Sequence, residues 1–240
     1  MQAINRESKT SVFFNVGFLL ASAFSDDRSR SVDFQKALLE SGLDFAQTAS
    51  RANSFILTRT DPSNLQVKLE SPGPQVSAVN VTARNPQYDL DMFVRDAEAV
   101  TDAYQKTFPA PQYQLIQRTA RINHLYSCQA HAFKYLWEDR LGQSPEDFKT
   151  LGRRPVAGGG LRFILPPHAQ AEGEPFSIEI RAGSVLREPG KLVVETIFVW
   201  PRPHMVTADQ KFNPGDLLQT VEQYAADEVF NFLTQQKSSD

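Results

Sequence analysis

Val12, Phe14, Val16, Phe18 and Leu20 fall on every second position, a period of two that predicts a β-strand with one buried face. The same period returns at Leu65, Val67 and Leu69, set against Gln66, Lys68 and Glu70. It returns again at Val79, Val81 and Ala83, and at Phe176, Ile178 and Ile180 against Ser177, Glu179 and Arg181. Leu192 to Trp200 is apolar on nearly both faces and is expected in the middle of a sheet. Ser54 to Thr60, Tyr113 to about Tyr126 and Leu161 to Leu165 complete the expected strands. Pro72-Gly73-Pro74 reads as a turn, and the short connections favour an antiparallel meander.

A period near 3.6 marks the helices. Phe34 and Leu38 before Gly42 suggest a short one over 32–41. Leu90, Phe93, Val94, Ala97, Val100, Tyr104 and Phe108 form one stripe, with Asp89 as N-cap and Pro109 and Pro111 as terminators. Ala130, Phe133, Leu136, Trp137 and Leu141 suggest a third helix closed by Gly142. Ser144-Pro145-Glu146-Asp147 carries start signals for a fourth. Asn213-Pro214-Gly215-Asp216 opens a final helix with Leu217, Val221, Tyr224, Glu228 and Phe232 on one stripe, before a fraying tail over 235–240.

Runs of strands between helices argue an α+β fold rather than a doubly wound sheet. The expectation is mixed, mostly antiparallel sheets in two closely packed halves, 1–142 and 143–240, with the seam at helix 143–152; one continuous domain is the alternative. The C-terminal helix should lie across the second sheet, burying Tyr224 and Phe232, with Glu228 at its edge or paired with an arginine such as Arg162. No repeat with a period of roughly 20–50 residues is visible.

The run Val12 to Phe24 follows Arg6 and Lys9 and ends in Ala21-Ser22-Ala23, so it also invites reading as a signal peptide. Asn15, Gly17, Glu7 and the period of two favour a strand. At about 13 residues it is too short to span a bilayer. The 25 Lys+Arg and 28 Asp+Glu give a net charge of −3 over 240 residues, without the basic excess expected of a nucleic-acid binder. With one cysteine, Cys128, no internal disulfide can form, which points to the cytoplasm.

Chemistry is sparse. His124, Cys128 and His131 would share one face of a helix and could hold a transition metal. The favoured reading is a buried free cysteine beside two incidental histidines; a Cys–His nucleophile pair would need an orienting third group and an oxyanion hole, which the sequence does not mark. Gly158-Gly159-Gly160 enters a strand rather than a helix and lacks a phosphate-loop frame, so a hairpin or bulge is expected. Arg118 and Arg121, three apart on a strand, should face opposite ways. Trp200, Arg202 and His204 near a strand exit, together with Arg162, form a candidate contact surface. Glu138-Asp139 and Glu146-Asp147 do not make a glycosidase pair. No hydrolase, zinc-protease or P-loop motif occurs, and no cofactor is implied.

Gly160, Leu161, Arg162, Phe163 and Ile164, with the order of elements, resemble a family of sporadically distributed, uncharacterised bacterial proteins of similar length. Leu165 stands where that family has asparagine. The resemblance implies no catalytic residues. The expectation is a non-enzymatic cytoplasmic interaction protein, a subunit or adaptor with a protein partner and neither nucleic acid nor membrane. The alternatives are a small-molecule carrier with an apolar cavity under the C-terminal helix, or an enzyme or metal site around His124, Cys128 and His131.

Overall fold

The computed structural model of the protein describes residues 4–22, 28–51, 53–144, 146, 154, 156–168 and 174–235. Ten strands make one sheet, in which the described pairings are antiparallel. The strands are β1 (Ile4–Leu20), β2 (Gln47–Arg51), β3 (Ser54–Arg59), β4 (Asn64–Gly73), β5 (Val76–Arg84), β6 (Gln112–Cys128), β7 (Gly160–Leu165), β8 (Ser177–Val185), β9 (Glu188–Trp200) and β10 (His204–Thr207). They run β2-β3-β4-β5-β1-β6-β9-β8-β7, with β10 beside β6. The helices are α1 (Arg28–Glu40), α2 (Leu90–Thr107), α3 (Ala132–Lys134, prolonged by a π turn Tyr135–Arg140), α4 (Pro214–Tyr224) and α5 (Phe230–Thr234).

The period-two pattern decides which face is buried. Phe14, Val16, Phe18 and Leu20 of β1 point into the core with Val79, Val81 and Ala83 of β5 and Ala120 and Ile122 of β6. The stripe of α2 lies on that face, and Phe93 stacks on Phe14 at 5.2 Å between ring centres. Asp89 caps α2 by accepting from the Met92 amide at 3.0 Å. The alternate strand residues form the opposite face, and no described helix covers it.

The sheet has an internal repeat. β1 and β6 are each 17 residues long and pair with each other at its centre. Each is followed by a helix and a meander whose returning strand, β5 or β9, pairs back onto it. A long helix follows each meander after an Asn-Pro dipeptide. Asn85 and Asn213 are the two described non-glycine residues with positive φ, at 46° and 51°.

Several expectations need correction. β1 begins at Ile4, because residues 6–9 arch out of the ladder between Asn5 and Thr10 and hide the pattern. β2 and β10 were not predicted: β2 is exposed throughout, and β10 buries only Val206. β6 pairs with β1 on one side and β9 on the other, so the helices lie on one sheet rather than two. The C-terminal helix therefore sits over the middle, against β6, β1, β9 and α2, instead of across the last strands.

Its buried stripe also differs from the expected one. A π turn at Ala225–Val229 separates α4 from α5. The extra residue in that turn rotates everything beyond it. Phe230 and Leu233 take the core positions, Phe232 is 38% exposed, and Tyr224 is half-buried. Glu228 is exposed, and Arg162 pairs with Glu179 instead. Asn213 occupies the N-cap position of α4 but in a left-handed conformation, without a side-chain cap. The expected seam helix 143–152 and the tail 236–240 lie largely outside the described residues.

Candidate functional site

His124, Cys128 and His131 do not form a cluster. The first two lie on β6, and four residues of extended strand separate their backbones by about 13 Å. His131 is the N-cap of α3, its Nδ1 accepting from the Phe133 amide at 3.2 Å. The metal geometry required a helix; a strand cannot provide it. No group of three potential ligands gathers among the described residues. Burial pushes the Cys128 thiol up to about 11, so at neutral pH it is not a thiolate nucleophile.

His124 has a different partner. It is 1% exposed, and its Nε2 lies 2.9 Å from Glu222 Oε2 on α4. Glu222 Oε1 accepts from Lys9 Nζ at 2.6 Å. Burial by itself would raise the Glu222 carboxyl, but contact with His124 and its charge, then Lys9, hold it at about 2. Burial, then the Glu222 charge, pushes the neighbouring Tyr126 phenol upward. Lys9 reaches this site from the arch in β1. Arg6, in the same arch, donates to Ala226 O at 2.9 Å and Asp227 Oδ1 at 3.1 Å at the π turn. This constellation clamps the C-terminal helix to the sheet.

The other predicted contact residues are dispersed. Trp200 is only 5% exposed, not the exposed anchor expected, because its ring packs against Phe198 at 5.7 Å and Phe176 at 5.9 Å. Arg202 and His204 are exposed around the start of β10, away from Arg162 on the edge strand β7. Arg118 and Arg121 do face opposite ways. Arg118 is buried on the helix side with Glu174, while Arg121 stands on the open side with Glu195. The triple glycine serves close packing. A Cβ on Gly160 would lie 2.4 Å from the Ala182 carbonyl, and one on Gly159 would lie 2.6 Å from the Phe133 ring.

Arg162 does join a constellation, one that sequence spacing could not display. On the open face a row of side chains crosses the strands from β7 to β5. Arg162 Nε and Arg181 Nε both donate to Glu179 Oε1, at 2.5 and 2.7 Å. These bonds hold the Glu179 carboxyl below the usual carboxylate range. Arg181 also pairs with Glu195 Oε2 at 3.0 Å, and Arg121 pairs with Glu195 Oε1. Beyond Arg121 stands the Phe13 ring on β1, and beyond that Arg84 on β5. Around the row, Asn15 donates to Thr82 Oγ1 at 2.9 Å. A Cβ on Gly17 would lie 2.4 Å from Asn80 Oδ1, so glycine lets that side chain close over β1.

The open face is also electrically distinct. Its regular ladders carry Arg51, Lys68, Arg84, Arg121, Arg162, Arg181 and Lys191 against Glu70, Glu179 and Glu195, seven cations to three anions. The whole chain is net negative, at −3. The sequence signal was present in part. Arg162, Arg181, Glu195, Arg121 and Arg84 all hold outward positions of alternating strands, but only the strand order aligns them. No protein-family model, curated protein or solved structure matches the chain.

Proposed function

We propose that the protein is a non-enzymatic binding protein, a subunit or adaptor, that contacts another macromolecule through the open face of its sheet. The observation that carries this reading is the charged row on a broad sheet face that no described helix covers. A sheet facing solvent on one side is ordinary. Seven cations concentrated there in an acidic chain are what make it a contact surface. The low-pKa clamp at His124 and Glu222 supports a structural role for that pair, because a carboxylate held at about 2 is a weak proton acceptor. The expected partner is a protein. The lone cysteine supports a reducing, cytoplasmic setting. No described helix is long and apolar enough to cross a membrane. Membership of the family that the Gly160–Ile164 signature resembles belongs to the same proposal.

Native mass spectrometry of the protein purified from its source tests the reading. A retained partner should be lost from Thr82→Trp and Ile197→Arg variants that remain folded by circular dichroism. It should persist in helix-side variants such as Lys106→Ala. Retention in all variants contradicts the open-face reading.

A carrier role has one observation in its favour. An apolar cleft of about 460 Å³, lined by Ile164, Leu165, Pro167, Pro175 and Phe176, lies at the end of β7 and β8. It is not under the C-terminal helix, where Leu218, Val221 and Phe230 belong to the continuous core. Saturable binding of a fatty acid, abolished by Phe176→Arg, would establish that role.

A further inference from the structure

The open-face row has a repeating unit. Glu179 is shared by Arg162 and Arg181, and Glu195 by Arg181 and Arg121. Each carboxylate thus joins two guanidinium groups. The unit fails once, between Arg121 and Arg84. No carboxylate stands there among the described residues. The Phe13 ring does, with Arg121 4.4 Å and Arg84 5.3 Å from its centre.

Both arginines have donors to spare. Arg84 is exposed and makes no ion pair or hydrogen bond among the described residues. Arg121 directs Nε to Asn123 Oδ1 at 3.2 Å and one terminal nitrogen to Glu195, leaving the other terminal nitrogen for another acceptor. The ring holds the two groups apart through cation–π contact, so their entropy is partly lost before a ligand arrives.

We propose that the Arg84–Phe13–Arg121 place receives a carboxylate side chain of an acidic protein partner and completes the row's arginine–carboxylate–arginine pattern. This rests on the open-face reading above. Carboxylates already occupy the equivalent places, and arginine forks match them in geometry. A nucleic acid fits less well. Its phosphates would run against Glu179 and Glu195, and both arginines already lie against the ring on which a base would stack.

The probe is fluorescently labelled hexaglutamate at low salt, followed by anisotropy. The wild type should bind and weaken as salt rises. Arg84→Ala should bind at least tenfold more weakly, and Phe13→Leu severalfold more weakly. Lys106→Ala, on the helix side and paired with Glu40, should bind as the wild type does. Absence of wild-type binding, or equal affinity in Arg84→Ala, overturns the proposal. Tighter binding of a ten-residue oligothymidylate with the same Arg84 dependence reassigns the face to nucleic acid. Self-association that Arg84→Ala abolishes, seen by sedimentation, reassigns it to a second copy. If a native partner is lost from Thr82→Trp while hexaglutamate binding ignores Arg84, the open-face reading stands and the carboxylate site falls.

Discussion

Phe198 and its neighbour Ile197 separate what a strand's two faces contribute. Phe198 is 1% exposed, stacked on Phe176 at 4.8 Å and edge-on to Tyr224 at 5.3 Å. Phe198→Ala should cost about 3–5 kcal/mol in urea titration, the usual range for a buried ring replaced by a cavity. Ile197 is half-buried on the open face, and Ile197→Ala should cost distinctly less. Equal losses would contradict the assignment of faces. Glu222 contributes a pH dependence of known sign. Its folded value of about 2 lies below the ordinary 4.5, so the unfolded chain binds the proton first. Stability should therefore fall as pH drops from about 4.5 towards about 2, and this part of the slope should vanish in Glu222→Gln. Chemical denaturation at stepped pH measures it; an unchanged slope would show that the clamp is not formed. Neither Glu222 nor Lys9 could be assigned to His124 from sequence, because the three are brought together from β6, α4 and an arch in β1.

Among the elements, those with a strong period were legible and those set by neighbours were not. The period of two over Val12 to Leu20 and the stripe of Leu90 to Tyr104 fixed β1 and α2, whereas β2 has no apolar pattern and exists by pairing with β3. The π turn at Ala225–Val229 shifted the final helix's buried face by a residue, which a 3.6 period cannot anticipate. The two Asn-Pro turns were partly legible. Proline at the first helical position marks the start at Pro214, but nothing in the sequence shows that the asparagine before it is left-handed. Asn213→Gly should leave the melting temperature nearly unchanged, while Asn213→Ala should lose roughly 1–2 kcal/mol for placing a Cβ in that region. Equal effects would argue against the left-handed turn. Removal of 214–240 should uncover Tyr126, Phe198 and the sheet around them, giving a dye-binding or insoluble chain. A truncated monomer with its melting temperature intact would instead make the helix a detachable arm.

At the scale of the molecule, the α+β class and antiparallel character were readable because short connections admit little else. The single sheet was not, since its unity depends on β6 pairing with both β1 and β9, a choice invisible in periodicity. The candidate site shared that fate. Arg162 was singled out beside Trp200, Arg202 and His204, and the strand order joins it instead to Arg181, Arg121 and Arg84 across the open face. The consequence is a protein with a packing face and a contact face. Photo-crosslinking in the source organism tests that division most directly. A photoreactive residue at Thr82 or Ile197 should give a discrete adduct, and one at Gln105 or Gln219 on the helix side should give none. Adducts from the helix side alone, or equally from both, would contradict it.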